Sequence, residues 1–110
     1  MSDAAPSVPE IDVDELERQS DVPLIDVRQP DEYEAGHVPG AKLIPLDEVP
    51  ERVAEIQAEG RVNLICGSGP RSHRAAEYLI AQGVDATNVV GGTKAWVESG
   101  RSVTAGSEPG

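Results

Sequence analysis

The sequence contains few of the residues that could cross-link a fold covalently or through a metal. Among its 110 residues there are one cysteine, Cys66, and two histidines, His37 and His73. A single cysteine cannot form an internal disulfide, so we expect a free thiol, which fits a reducing compartment. Because these three residues have no metal-ligand spacing, a zinc site is not expected. A hydrophobic core must therefore hold the fold, and the length suffices for one domain.

Long apolar runs and clustered positive charge are also missing. No apolar stretch is long enough to span a bilayer, and the first ten residues have neither the basic cluster nor the apolar segment of a targeting signal. The formal charge is −11, from nine bases and twenty acids. Because nucleic acids and anionic membranes bind clustered positive charge, neither is an expected partner. We expect a soluble, cytoplasmic protein.

The acidic charge is concentrated in the first half of the chain. Up to residue 59 there are sixteen acids and four bases, whereas from residue 60 onward there are five bases and four acids. The thiol belongs to this second, nearly neutral half, where Arg71 and Arg74 follow it closely. A small anion can therefore be captured near Cys66 even though the whole molecule is acidic.

Short apolar runs alternate with helical patterns, which is typical of βα units and a parallel sheet. The ends of the chain, residues 1–7 and 102–110, are rich in Ser, Ala, Gly and Pro, and we predict flexible tails around a domain of residues 8–101. The patterns predict strands at 22–27, 41–45, 61–65 and 87–90, with 7–11 left open as a fifth. They predict helices at 12–20, around 32–34, and at 47–59, 71–82 and 93–99.

The cysteine lies in a loop with the composition of an anion-binding site. An apolar run, residues 62–65, leads into Cys-Gly-Ser-Gly-Pro-Arg-Ser at 66–72, here called the cysteine loop, and a helix follows. A thiol after a parallel strand lies at the sheet edge where α/β folds bind ligands. A glycine-rich turn and a helix N-terminus present N–H groups to an anion and lower the pKa of a thiol. We therefore predict that Cys66 is a reactive thiolate at neutral pH rather than a packed hydrophobe.

Other conspicuous polar residues are expected to be structural. His37, in a His-Val-Pro-Gly turn, fits a hydrogen-bonding role. Asp26 is expected to be a buried carboxylate bound to backbone N–H groups. Arg28 is expected to pair with Glu32 or Glu34, which lie within reach on the next predicted helix.

Three motifs resemble the signatures of the rhodanese (sulfurtransferase) family, and the resemblance extends over about residues 8–104. Leu-Ile-Asp-Val-Arg at 24–28, with Glu-Tyr at 32–33 and Gly-His-Val-Pro-Gly-Ala at 36–41, is similar to the N-terminal signature of the family. The cysteine loop is similar to its active-site loop, and Gly-Gly-Thr-Lys-Ala-Trp at 91–96 to its C-terminal signature. The resemblance implies a rhodanese-like α/β fold, a parallel five-stranded sheet with helices on both faces.

The same resemblance implies a sulfurtransferase with Cys66 as the catalytic residue. Its thiolate would take sulfane sulfur from an anionic donor, thiosulfate first and 3-mercaptopyruvate second, and hold it as a persulfide for cyanide or a thiol. The implied substrate-binding residues are Gly67, Ser68, Gly69, Arg71 and Ser72. No cofactor or metal is implied. The implied partners are the small donor, an external acceptor and, as an open option, a sulfur-accepting protein.

Two positions of the loop depart from the family pattern, and two other functions stay open. Pro70 has no N–H to donate, and Gly67 carries no charge where many thiosulfate-using domains have a basic residue. Cys-Gly-Ser-Gly is also similar to the loop of mercaptopyruvate sulfurtransferases. One alternative is a non-catalytic sulfur carrier or partner-binding module. A weaker one is a phosphatase or arsenate reductase, whose loops resemble Cys-x5-Arg, whereas four residues separate Cys66 from Arg71 here.

Overall fold

The structure is a computed structural model that describes residues 7–110. The strands are β1 Glu10–Ile11, β2 Leu24–Asp26, β3 Lys42–Leu43, β4 Val62–Ile65 and β5 Ala86–Val89. The α-helices are α1 Val13–Arg18, α2 Pro30–Ala35, α3 Val53–Gln57, α4 Pro70–Ala81 and α5 Gly92–Glu98. The strand left open at residues 7–11 is therefore present. The predicted N-terminal tail, apart from Ser7, lies outside the described residues.

The five strands form one parallel sheet, as the family resemblance implied, and their order in it is β1-β5-β4-β2-β3. The central strand β4 pairs with β2 on one side and with β5 on the other, and Leu64 lies beside Ile25 and Asn88. From β2 the chain continues outward to β3, whereas from β4 it continues outward in the opposite direction to β5. Such a reversal opens a crevice at the carboxyl ends of the two strands, here β2 and β4.

Helices cover both faces of this sheet. Val62 and Leu64 of β4 belong to a core that includes residues of α3 and α4, whereas Ile65 belongs to the opposite core with residues of α1, α2 and α5. Burial of each such aliphatic side chain contributes about 1.5–3 kcal/mol to folding. Within residues 7–110, no helix has both the length and the apolar character needed to cross a membrane.

The prediction of one helix over residues 47–59 is wrong in part. This segment is divided into a 3₁₀ helix, Leu46–Arg52, and the short helix α3. Pro50 lies inside the 3₁₀ helix, and its missing N–H and rigid ring disfavour a continuous α-helix there. The apolar pattern still predicted the inward face correctly, because Val49 and Ile56 are buried.

The C-terminal segment, residues 102–110, lies against the residues that follow α2. Each of His37 and Thr104 donates its backbone N–H to the carbonyl of the other, at 2.9 and 2.8 Å. The buried ring of His37 has Nδ1 2.8 Å from the carbonyl oxygen of Tyr33 and Nε2 2.9 Å from that of Glu108. The structural role predicted for His37 is confirmed. The domain boundary at residue 101 and the flexibility of the segment beyond it stay predictions.

Candidate active site

Cys66 directly follows the central strand and lies at the carboxyl edge of the sheet, at the crevice between β2 and β4. The four residues of β4 are all buried, so the apolar run places the next residue inside the fold rather than on its surface. Cys66 has an exposed fraction of 0% and is a free thiol. Its sulfur therefore lies at the bottom of the crevice, where an incoming ligand would be largely removed from water.

The cysteine loop wraps around this sulfur because Gly69 takes a backbone conformation that other residues rarely adopt. Gly69 has a φ of 122° and is the N-cap of α4, and Pro70 is the first residue of that helix. The missing N–H of Pro70 costs no intrahelical hydrogen bond at this position, and its fixed φ suits a helix start. The N–H of Gly69 donates to Sγ of Cys66 at 3.1 Å, and Oγ of Ser72 lies 3.3 Å from Sγ.

The pKa of the Cys66 thiol is the result of two opposing effects. Burial raises it, because a charged sulfur is poorly solvated there. The hydroxyl of Ser72 and the backbone N–H groups of Ser72, Gly69 and Ser68 donate to the sulfur and lower it by more. The net pKa lies below the ordinary value of 9.0, as the sequence predicted in direction. The thiolate is the nucleophilic form of cysteine, and the loop shifts the equilibrium of Cys66 toward this form.

Gly67 and Arg71 lie beside the sulfur but contact other groups. Within residues 7–110, neither donates a backbone hydrogen bond to Sγ of Cys66. The carbonyl of Gly67 accepts a hydrogen bond from the N–H of Lys94 at 3.0 Å, which connects the loop to α5. Of the five predicted substrate-binding residues, three thus reach the cysteine sulfur itself. A contact of the other two with substrate stays a prediction.

The start of α5 forms the back of the cysteine loop. The N–H and the hydroxyl of Thr93 donate to the carbonyl of Cys66 at 2.9 and 3.1 Å. A Cβ atom on Gly92 would lie 2.5 Å from that carbonyl oxygen and 2.6 Å from the carbonyl oxygen of Gly67. In the sequence, this glycine pair opens the segment that is similar to the C-terminal signature of the family. In the structure it also lets the backbones of α5 and the cysteine loop come into direct contact.

Ser72 is held by a residue that the sequence analysis did not single out, Asn88. Oγ of Ser72 lies 2.5 Å from Oδ1 of Asn88 and 3.1 Å from the carbonyl oxygen of Gly69. Asn88 belongs to β5 and is 2% exposed. A buried polar side chain in a strand needs a hydrogen-bond partner, and this requirement was the available signal in the sequence. Because the hydroxyl of Ser72 has a single proton, Oδ1 of Asn88 and the carbonyl of Gly69 compete with the cysteine sulfur for it.

Arg71 forms a two-point ion pair with Glu32 at the mouth of the crevice. Nη1 lies 2.8 Å from Oε1 and Nη2 lies 3.0 Å from Oε2. Nη2 would lie 3.3 Å from a Cβ atom on Gly67, so the guanidinium partly covers the cysteine loop. The hydrogen bonds from Arg71 lower the pKa of the Glu32 carboxyl to about 2. Glu32 is therefore ionised at every pH at which Cys66 can act.

The predicted pairing of Arg28 with Glu32 or Glu34 is wrong. Arg28 turns inward instead and is 6% exposed, with Nη2 2.9 Å from Oδ2 of Asp26. Nη2 also donates to the carbonyl of Gly36 at 2.8 Å. Asp26 is fully buried and accepts the backbone N–H of Arg28 at 3.0 Å, so its predicted structural role is confirmed. Arg28 pairs with Asp26 because this carboxylate, at the end of β2, is only two residues before it in the chain.

Comparison with known proteins identifies the family of this chain. A family model described as a rhodanese-like domain matches residues 12–99. A sulfurtransferase of Allochromatium vinosum is 37% identical over 103 residues, which are 89% of this chain and 96% of that protein. A Staphylococcus aureus rhodanese-like domain protein has a similar structure, with a TM-score of 0.76 and 38% identity over 81% of this chain and 91% of that one.

Two other relatives are matched over only part of their length. YrkF of Bacillus subtilis, named as a candidate sulfur carrier protein, is 38% identical over 100 residues, which are 86% of this chain but 54% of YrkF. A second Bacillus subtilis relative is matched over 59% of its length. The chain thus spans a little over half the length of these two proteins.

Proposed function

The chain belongs to the rhodanese-like domain family, and from this premise we propose that it is a sulfurtransferase that carries sulfane sulfur as a persulfide on Cys66. The observation that supports this most directly is the environment of the sulfur. It lies at the end of the central strand, accepts hydrogen bonds from Gly69 and Ser72, and belongs to a thiol with a lowered pKa. These are the properties of a nucleophilic cysteine.

In the first half of the proposed reaction, the Cys66 thiolate attacks the outer sulfur of the donor. With thiosulfate, our first choice, a bond forms between Sγ and the outer sulfur while the sulfur–sulfur bond of thiosulfate breaks. The electron pair of the broken bond leaves on sulfite, and the outer sulfur keeps the negative charge that it carried in thiosulfate and becomes the terminal sulfur of the persulfide. N–H groups of the cysteine loop are suited to stabilise this anion, because they are oriented before it forms. The second donor, 3-mercaptopyruvate, would leave as pyruvate.

In the second half, an external nucleophile takes the terminal sulfur. Cyanide would leave as thiocyanate and a thiolate as a persulfide, and either reaction returns Cys66 to the thiolate. The chain holds one cysteine, so no second thiol of its own can complete the transfer. The acceptor must therefore be a small molecule or a thiol outside these 110 residues. The single free thiol also supports a cytoplasmic location, because it suits a reducing compartment.

A second candidate function is a sulfur carrier that is loaded and unloaded by other proteins and has little turnover alone. This candidate is favoured by the similarity to YrkF, which is named as a candidate sulfur carrier protein. A phosphatase or arsenate reductase is disfavoured, because four residues separate Cys66 from Arg71. A loop that is one residue shorter than Cys-x5-Arg fits a sulfur atom better than a tetrahedral oxyanion.

Intact-protein mass spectrometry tests the proposal. We expect incubation with thiosulfate or 3-mercaptopyruvate to add one sulfur to the wild type and none to Cys66→Ala, and cyanide to remove it. Loading by these donors with very slow turnover to thiocyanate would support the carrier. Absence of loading by either donor would contradict sulfur transfer, and rapid hydrolysis of a phosphotyrosine analogue would support the phosphatase instead.

A further inference from the structure

We propose that Glu32 is a specificity-determining residue, which limits the use of doubly charged sulfur donors by holding the guanidinium of Arg71. The role is one of positioning, since Glu32 acts through Arg71 rather than on the reacting sulfur. The proposal rests on the proposed function and adds a charge preference to it: Glu32 lowers the use of a dianionic donor such as thiosulfate relative to a monoanionic one such as 3-mercaptopyruvate. The observations that support the proposal are the geometry of the crevice and the charges around it.

The ion pair joins the two segments that follow β2 and β4. Glu32 belongs to α2, which comes after β2, and Arg71 belongs to the first turn of α4, which comes after β4. Oε1 of Glu32 also accepts the backbone N–H of Gln29 at 3.0 Å, within a capping box at the start of α2. The carboxylate is thus anchored at two points, and it holds the guanidinium against the mouth of the crevice.

This pairing engages the guanidinium of Arg71, the one cation of the cysteine loop, in an ion pair. The other guanidinium in this part of the crevice, that of Arg28, is bound to Asp26. The Cys66 thiolate adds a negative charge of its own. An anionic donor therefore has to compete with the Glu32 carboxylate for Arg71, in addition to approaching a thiolate.

The cost of this competition depends on the charge of the donor. Thiosulfate carries two negative charges and 3-mercaptopyruvate carries one. Since the Coulomb energy is proportional to the product of the charges, repulsion by Glu32 is about twice as large for thiosulfate at the same distance. Both side chains of the pair are partly exposed, 37% for Glu32 and 38% for Arg71, so solvent and salt reduce the effect without removing it. Loss of the Glu32 charge should therefore favour thiosulfate over the monoanion.

Glu32→Gln tests this proposal with little change in shape. Glutamine keeps one oxygen that can accept hydrogen bonds from Gln29 and Arg71, but it lacks the charge. We expect kcat/KM for thiosulfate to rise about tenfold, and kcat/KM for 3-mercaptopyruvate to rise clearly less. Glu34→Gln is the matched control. It removes the same charge from α2 but from an exposed side chain without an ion pair among the described residues, and we expect both rates to stay near those of the wild type.

Two further measurements separate an electrostatic role from a merely structural one. In Glu32→Gln, added salt should lower kcat/KM for thiosulfate, because it screens the attraction between a freed cation and a dianion. In the wild type, salt should leave this rate nearly constant or raise it. The double variant Glu32→Gln with Arg71→Gln should lose the gain in thiosulfate use, because the gain depends on the guanidinium.

Three outcomes would overturn the proposal. One is an equal change in the rates with both donors, and another is a fall in thiosulfate use in a Glu32→Gln protein that circular dichroism shows to be folded. The third is a steep fall of the wild-type thiosulfate rate with salt, which can be measured even where the variant does not fold. A wild type that neither donor loads would instead refute the proposed function itself.

Discussion

Gly92 and Cys66 lie so close that a Cβ atom on Gly92 would be 2.5 Å from the carbonyl oxygen of Cys66. This distance is shorter than any that real side chains keep, and φ of Gly92 is 61°. The glycine therefore meets two requirements at once, a left-handed backbone and a direct contact between two backbones. The hydrogen bonds from Thr93 to the same carbonyl depend on this contact.

We expect Gly92→Ala to lower the free energy of unfolding by about 2–4 kcal/mol and to slow sulfur loading of Cys66, because the loop has to move away from α5. Gly60→Ala is the matched control. Gly60 has a φ of 84° but nothing within 4 Å of its Cβ position, so the cost should be about 1 kcal/mol. Urea unfolding measures both values. Equal losses in the two variants would show that the contact with Cys66 contributes nothing.

The second prediction concerns the reactivity of the thiol. In the wild type, the rate of alkylation by iodoacetamide should rise with pH with a midpoint below 9.0. The reason is that hydrogen bonds from the loop lower the thiol pKa by more than burial raises it. In Ser72→Ala this pKa should rise, since one donor to the sulfur is lost while burial is unchanged. Ser107→Ala, which removes an exposed hydroxyl elsewhere, is the control. If the alkylation rate of Ser72→Ala depends on pH as that of the wild type does, the hydroxyl does not determine the thiol pKa.

The lowered thiol pKa also predicts how stability depends on pH. Between the folded-state pKa and the ordinary value of 9.0, the unfolded chain binds the proton and the folded chain has released it. Stability therefore rises with pH through this window, is fully present above 9.0, and is lost as the pH falls through the folded-state pKa. Urea unfolding of the wild type and of Cys66→Ala across the window measures the effect. The difference in the free energy of unfolding between wild type and variant should grow with pH. A constant difference would argue against a lowered pKa of the Cys66 thiol.

The fourth prediction concerns the buried pair of Asp26 and Arg28. Asp26→Ala leaves the buried guanidinium without its carboxylate and should cost about 3–5 kcal/mol in urea unfolding. Replacing both residues, as in Asp26→Leu with Arg28→Met, should recover much of this loss, because no buried charge is then unpaired. Arg18→Ala, which breaks an exposed pair with Glu15, should cost much less, because solvent screens that pair. A similar cost for the buried and the exposed pair would refute this account.

The last prediction concerns the C-terminal segment. The amides of Thr104 and Gly106 donate to the carbonyls of His37 and Glu34, both at 2.8 Å. We therefore expect these two amides to exchange more slowly than the amide of Ser107, which has no backbone acceptor among the described residues. Hydrogen exchange followed by NMR provides the comparison. Uniformly fast exchange across residues 102–110 would instead support the flexible tail that the composition predicts.

The sequence by itself determined the parallel α/β fold and the cysteine loop, because both depend on local patterns. Buried strands, helix periodicity and capping residues are each encoded within about ten neighbouring positions. The cysteine loop is equally local, since the strand, the glycine turn and the helix start that activate Cys66 all lie within residues 62–72. Even the one error in a helix, at residues 47–59, has a local cause in Pro50.

Only the tertiary structure decided which distant residues surround that loop. Glu32 and Arg71 are 39 positions apart, and their contact depends on β2 and β4 being neighbours although β3 lies between them in the chain. The contacts of Asn88 with Ser72 and of Gly92 with Cys66 likewise depend on β5 pairing with β4. Strand order is a property of the whole sheet, so no local pattern specifies these contacts. The cysteine loop is thus encoded locally, whereas the charged and packed residues around it are brought together by the fold.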